Sequence, residues 1–240
     1  MNWLRIWGKF LSSYFLIRGK VYPSFSQAGE DQVIKYLMND CLKISQPSYL
    51  DVGTYHPIFG NNTYYFYSRG SKGVCVEPDP RYARLIKKYR RRDIFVQAGI
   101  SIGDDNALDF FVFPEKYSGW NTFLKEEADK RKLDSGIDYN IVQQVPVVNI
   151  NNVIKSYFSG WPNIISIDIE GLDLQVLKSL DFEQYKPEVI CVESISFSVT
   201  NEQEKRNEIL EFVVSKGYFI FADTYVNTIF CKKEAFKKFS

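Results

Sequence analysis

An apolar run, Ser48-Tyr-Leu-Asp51-Val-Gly53-Thr54, delivers a carboxylate and then a glycine at its carboxyl end. Ligands of open α/β sheets bind at that end of the strands, and a glycine there lets a ligand come close to the backbone. A second apolar run ends in another acid, Glu77 of GVCVEPDP. A carboxylate at the tip of the second strand is placed to accept both hydroxyls of a ribose. A single acid at a strand end caps a helix about as often as it holds a ligand. Two of them on consecutive strands point to a cofactor containing adenosine. A dinucleotide fingerprint would need further glycines in the first turn, where this chain has His56-Pro57, so the pattern disfavours a nicotinamide cofactor.

These acids need strands to carry them. From residue 48 onward the runs SYLDVG, GVCVEP, DIFVQAGIS, NIISIDIEG and PEVICVES read as buried parallel strands. Helical patterns over 80–91, 172–180 and 201–216 lie between them, which calls for a doubly wound sheet covered on both faces. GYFIFAD and NTIFCKK, separated by Tyr225-Val226, read as a closing antiparallel hairpin. ALDFFVFP at 107–114 and VPVVNINNVI at 145–154 interrupt the rhythm and read as an inserted β segment beside the site. Between them, 115–143 holds Gly119, Trp120, Asn121 and Thr122 and a charged helical run at 124–133, and is expected to form a lid or acceptor loop.

With 240 residues and 45% hydrophobic content the chain can bury one substantial core without a disulfide or metal. Its formal net charge of +1 gives no support to nucleic-acid binding through bulk electrostatics. Cys41, Cys75, Cys191 and Cys231 lack the close pairs of zinc or iron–sulfur sites and read as reduced core thiols, which implies a cytoplasmic location. Residues 1–23 are expected to form an amphipathic helix and its connection, with 24–240 as the catalytic domain. Trp3, Trp7, Phe10, Leu11, Tyr14 and Ile17 alternate with Arg5, Lys9, Arg18 and Lys20, a pattern suited to packing on the domain or a subunit partner and, second, to peripheral membrane contact. The run Arg81, Arg84, Lys87, Lys88, Arg90, Arg91, Arg92 reads as a solvated helix face, with an anionic acceptor or membrane surface as the functional alternative.

Asp51-Val-Gly-Thr, Asn61-Asn62-Thr63, Glu77-Pro78, Ile167-Asp168-Ile-Glu170-Gly171 and Val192-Glu193 occur in the order and spacing of the FkbM family of methyltransferases, which the chain resembles from about residue 24 to 231. Ser26-Gln27-Ala-Gly29-Glu30-Asp31 is similar to the S-Q-x-G-E-D signature of one branch. The resemblance implies a Rossmann-like class I methyltransferase: α/β, with a mostly parallel seven-stranded sheet, using S-adenosylmethionine to methylate hydroxyl groups, often on sugars. It implies that Asp51, Gly53 and Thr54 line the methionine end, that Glu77 holds the ribose, and that Asn62 and Thr63 bind the cofactor carboxylate at a helix start. Gln27, Pro78, Ser101 and Asp168 complete the implied set, with the adenine beside Gly99-Ile100-Ser101.

Methyl transfer to a hydroxyl also needs a base. Asp168 is the favoured candidate, ahead of Glu170 and His56, the only histidine of the chain. For Glu170 the competing reading is a cap for the helix that opens at Leu172-Asp173. Asp168, Glu170 and Glu193 offer the hard oxygens that suit Mg²⁺, although metal dependence is not the expectation. The acceptor is expected to be a glycan hydroxyl. The alternatives are another small molecule or a nucleic acid, or a cofactor-binding partner protein without turnover. No motif of the N-P-P-Y type supports the nucleic-acid reading.

Overall fold

The computed structural model describes residues 23–103, 105–196 and 203–237. The amphipathic N-terminal segment therefore lies, but for Pro23, outside the described residues, as does Asp104. No helix among the described residues is long and apolar enough to cross a membrane.

Among the described residues ten strands and eight helices follow in order: α1 (Glu30–Lys35), widening into a π-helical stretch over Tyr36–Cys41, β1 (Tyr49–Val52), α2 (Tyr64–Ser68), β2 (Gly73–Val76), α3 (Pro80–Tyr89), β3 (Ile94–Val96), β4 (Gly99–Ser101) and β5 (Ala107–Val112). A 3-10 turn over Glu115–Trp120 leads into α4 (Lys125–Ser135), β6 (Asn140–Asn149), α5 (Ile150–Tyr157), β7 (Ile164–Ile167) and α6 (Asp173–Ser179). β8 (Val189–Glu193), α7 (Asn207–Ser215), β9 (Tyr218–Asp223), β10 (Asn227–Lys232) and α8 (Lys233–Lys237) end the described residues.

Seven strands form one sheet in the order β3-β2-β1-β7-β8-β10-β9, parallel except where β10 pairs with β8 and with β9. The doubly wound sheet and its terminal hairpin are as the sequence predicts. Every residue of β1, β2 and β7 is buried, because helices cover both faces. Leu50, Val52, Ile165 and Ile167 pack with α5, α6 and α7 on one face, while Tyr49, Ile164, Val189 and Cys191 pack with α1 and α2 on the other.

Three elements depart from the sequence reading. DIFVQAGIS is two strands: β3 pairs with β2, whereas β4 leaves that sheet to lie parallel to β6 in a second sheet of order β4-β6-β5. The division falls at Ala98, and at Gly99 a side chain would meet the Phe123 ring at 2.3 Å, so the backbone there is packed against the insertion. The strand expected at 145–154 runs over Asn140–Asn149 and stops where the Asn149 side chain accepts from Asn151 N and caps α5. The helix expected over 201–216 begins at Asn207, since Lys205 is held in a bridge with Ile195.

Candidate active site

Register sets the site. Val52 pairs with Ile167 and Ile167 with Val192, so the next residues, Gly53, Asp168 and Glu193, stand side by side at the carboxyl ends of three strands, Glu193 as the last residue of β8, paired with Asn227 of β10. Asp168 N donates to Val52 O at 3.1 Å. Gly53 has φ +77, and a side chain there would meet the Asp168 carbonyl at 1.8 Å; only a bare backbone lets these two strand tips approach. On the other side Glu77 follows Val76, its Oε2 accepting from Tyr55 N and its Oε1 from Asp79 N, both at 2.8 Å. Burial pushes the Glu77 carboxyl up to about 7.

A crevice of about 390 Å³ opens over these tips. Gln27, Gly53, Glu77, Pro78, Asp168 and Glu170 line it. Tyr55, Tyr82, Ala98, Ile100, Phe110 and Phe123 form an apolar slot beside Glu77. This suits an adenosyl group: a carboxylate for the ribose, flat apolar walls for the base and a bare backbone under the rest. A second, more polar cavity of about 520 Å³ adjoins it and shares Gln27, Trp120, Asp168 and Glu170. Lys130, Arg131, Lys205 and Arg206 line it together with Glu193, Glu204 and Glu208, and Arg206 pairs with Glu208 at 3.3 Å.

The carboxylates between the two cavities are unequal. Glu170 has φ +58, outside the usual range of a side-chain-bearing residue. Its carbonyl accepts from Thr122 Oγ1, and its carboxylate pairs with Arg131 at 2.9 Å. Asp173, not Glu170, orders the turn, accepting from Ile169 N and Gly171 N. The carboxyls of Asp168 and Glu193 are both held well above the usual carboxylate range, by burial first and then by neighbouring carboxylates. Single oxygens of Asp168, Glu170 and Glu193 lie within 4.8 Å of one another, so the trio can share a proton or grip a cation.

Other residues singled out in the sequence lie elsewhere. The Asp51 Oδ2 accepts from Asn61 Nδ2 at 2.9 Å and Thr63 Oγ1 at 2.8 Å, below the crevice floor. Both donors also contact Arg90: its guanidinium donates to Asn61 Oδ1 and Thr63 Oγ1, pairs with Asp93 at 2.7 Å, and lies among the rings of Tyr49, Tyr64 and Tyr67. Arg90 is 1% exposed, so it is no part of a solvated face. Arg81 is likewise bound, to Asp79 and to Phe113 O. Thr54 Oγ1 donates to Asp51 O, Asn62 Nδ2 donates to Ser166, and Ser101 Oγ donates to Gly103 O. The His56 Nδ1 accepts from Ile58 N and Phe59 N, ordering its own loop, and burial lowers its pKa.

The inserted segment supplies what sequence reasoning missed. Asn121 Nδ2 donates to Asp79, and the Ser118 hydroxyl meets those of Tyr82 and Tyr55, which ties residues 115–135, a strap over the crevice end, to the Glu77 side. Arg131 donates to Trp120 O at 2.6 Å and ties the strap to Glu170. Trp120 to Thr122 carried a lid signal; Arg131, one cation in a charged run, carried none.

The profile of the methyltransferase FkbM domain matches residues 51–220. No curated protein matches the sequence. Similar solved structures include the 1,6-didemethyltoxoflavin-N1-methyltransferase of Burkholderia thailandensis with bound 1,6-didemethyltoxoflavin and S-adenosylhomocysteine (11% identity, 93% of this chain and 84% of that chain covered, TM-score 0.40). A TehB-like SAM-dependent methyltransferase of Corynebacterium glutamicum is also similar (10% identity, 94% and 97% covered, TM-score 0.43). So is the precorrin-6y C5,15-methyltransferase of Geobacter metallireducens (14% identity, 84% and 87% covered, TM-score 0.38).

Proposed function

Since the chain belongs to the methyltransferase FkbM domain family and is an S-adenosylmethionine-dependent methyltransferase, we propose that its acceptor is a hydroxyl of a sugar or glycan. The observation that carries this reading is Asp168, which lines both cavities and stands where a donor in one would meet an acceptor in the other. The walls of the second cavity are mostly charged side chains, which suit a polar acceptor of sugar size better than an apolar one.

In this reading Gln27, Gly53, Glu77 and Pro78 hold the donor, with Glu77 on the ribose and the slot around Tyr55 and Tyr82 on the adenine. S-adenosylmethionine, when bound, supplies an electrophilic methyl group on a sulfonium. Asp168 takes the proton of the acceptor hydroxyl, and Glu193 shares it, since two carboxylates this close hold one proton between them more readily than two charges. Glu170, neutralised by Arg131, shapes the wall between the cavities. Three buried free thiols, Cys75, Cys191 and Cys231, favour a reducing, cytoplasmic setting.

The test is incubation of the protein and S-adenosylmethionine with a panel of sugars and glycans, read by mass spectrometry with and without a chelator. A gain of one methylene unit on a hydroxylated acceptor, retained in chelator, is expected. Methylation only of amines or carbon acids would refute the hydroxyl assignment. Loss of turnover in chelator would assign the carboxylate trio to metal binding instead of proton transfer.

A further inference from the structure

Segment 68–95 carries nine Lys and Arg residues against three acids, in a chain whose formal net charge is +1. The acids do not offset the cations at the surface: Glu77 is 6% and Asp79 1% exposed, and the Asp93 side chain is fully buried. Arg81 and Arg90 are bound internally as described. The remaining seven cations are exposed, and among the described residues none of them is in an ion pair. The modest net charge of the chain thus conceals a strongly segregated one.

Topology gathers these cations at one end of the molecule. Arg69 and Lys72 precede the first residue of β2, Arg91 and Arg92 precede β3, and Lys87 and Lys88 lie in the last turn of α3, which runs back from the crevice. Arg92 binds the Tyr67 carbonyl and lies over the Tyr67 ring, which joins the two loops into one surface. Arg84 extends the charge along α3. All but Arg84 are at the amino ends of the strands, opposite the crevice, and β3 is an edge strand of the sheet. Apolar side chains stand among them: Ile94 is 42% and Tyr89 39% exposed. Lys88 lies over the Tyr89 ring and Lys87 over Phe95.

We propose that this basic end docks the enzyme on an anionic lipid surface. Lipid headgroups supply the negative charge, and the interface below them accommodates Ile94 and Tyr89. A nucleic-acid backbone would match the cations but offers nothing to an exposed isoleucine. Docked this way, the crevice faces away from the bilayer, toward an acceptor in solution. The proposal is independent of the acceptor assigned above.

Full-length protein is mixed with vesicles of phosphatidylcholine alone or containing about one-third phosphatidylglycerol, and binding is read by co-sedimentation. Binding to the anionic vesicles alone is expected, falling steeply with added salt. The variant Lys87→Gln, Lys88→Gln, Arg91→Gln is expected to bind them about a hundredfold more weakly. The variant Lys116→Gln, Lys125→Gln, Lys132→Gln removes equal charge from the strap at the crevice end and is expected to bind as the parent does. Unaltered melting of both variants shows that they fold. The proposal is overturned by absent vesicle binding, by equal binding to pure phosphatidylcholine, or by equal losses in the two variants. Displacement of the vesicles by an RNA oligomer that binds more tightly would reassign the surface to nucleic acid.

Discussion

Glu77 and Asp51 are both acids of buried parallel strands, yet only one faces the crevice, and the register explains why. Asp51 pairs with Cys75 and Ser166 inside the sheet, on the face that α1 and α2 cover, so its carboxylate meets Asn61 and Thr63. Glu77 lies one residue past the paired end of β2, where the sheet opens. Sequence spacing identifies the strands and their acids but not the row at which pairing stops, and that row separates an acid that lines the crevice from one held inside the sheet. Replacing Glu77 by Ala should weaken binding of S-adenosylhomocysteine by roughly 10- to 100-fold, the worth of one or two hydrogen bonds to a charged group. Calorimetric titration reads this directly, and unchanged affinity in a folded variant would remove Glu77 from the ribose. Asp168→Asn, by contrast, should lower kcat by about 10²- to 10⁴-fold while changing donor affinity far less, because it removes a proton acceptor and keeps the shape. A kcat within a few-fold of the parent would exclude Asp168 as the base.

The elements that position these residues differ in how plainly the sequence announced them. The main sheet was legible because apolar runs of four to five residues, separated by helical patterns, have few other solutions. The division of DIFVQAGIS was not, since it depends on Phe123 packing against Gly99, a contact between segments. Arg131 was equally hidden: nothing in its neighbourhood of Lys and Glu sets it apart, yet its side chain is 2% exposed and spans the strap and the β7 turn. Arg131→Gln leaves the partly buried Glu170 carboxylate without its cation and frees Trp120 O, so we expect a loss of about 1–3 kcal/mol in stability. A denaturation midpoint equal to that of the parent would show that the strap holds without it. At the junction of β1 and β7, Gly53→Ala must push the Asp168 backbone aside at a positive φ, and a loss of at least about 3 kcal/mol is expected. Soluble, fully active Gly53→Ala protein would contradict the close approach of the two tips.

For the whole molecule, what matters is where charge is buried. The crevice end concentrates carboxyls that burial pushes upward: Glu77 to about 7, Asp168 and Glu193 well above the usual range, with Asp51 and Asp173 raised as well. In the unfolded chain such groups titrate near about 4. Between that value and about 7 the folded protein therefore binds more protons than the unfolded one, and stability falls as pH rises through this window. Glu30 and Asp223 are shifted the other way, so their contribution is lost only as pH falls below the usual carboxylate range. The unliganded protein should accordingly melt highest near about pH 5 and by roughly 5 °C or more lower at pH 8. The same ionisation that weakens the empty fold creates negative charge around the crevice, which a cationic ligand relieves. The melting shift given by S-adenosylmethionine, a sulfonium, should grow from pH 5.5 to 8, while that of the uncharged thioether S-adenosylhomocysteine should grow less. Melting curves for the free protein and both ligands across that range are sufficient. A free-protein midpoint that is flat or rises with pH, or parallel shifts for the two ligands, would mean that these carboxyls ionise in the fold as freely as they do in water.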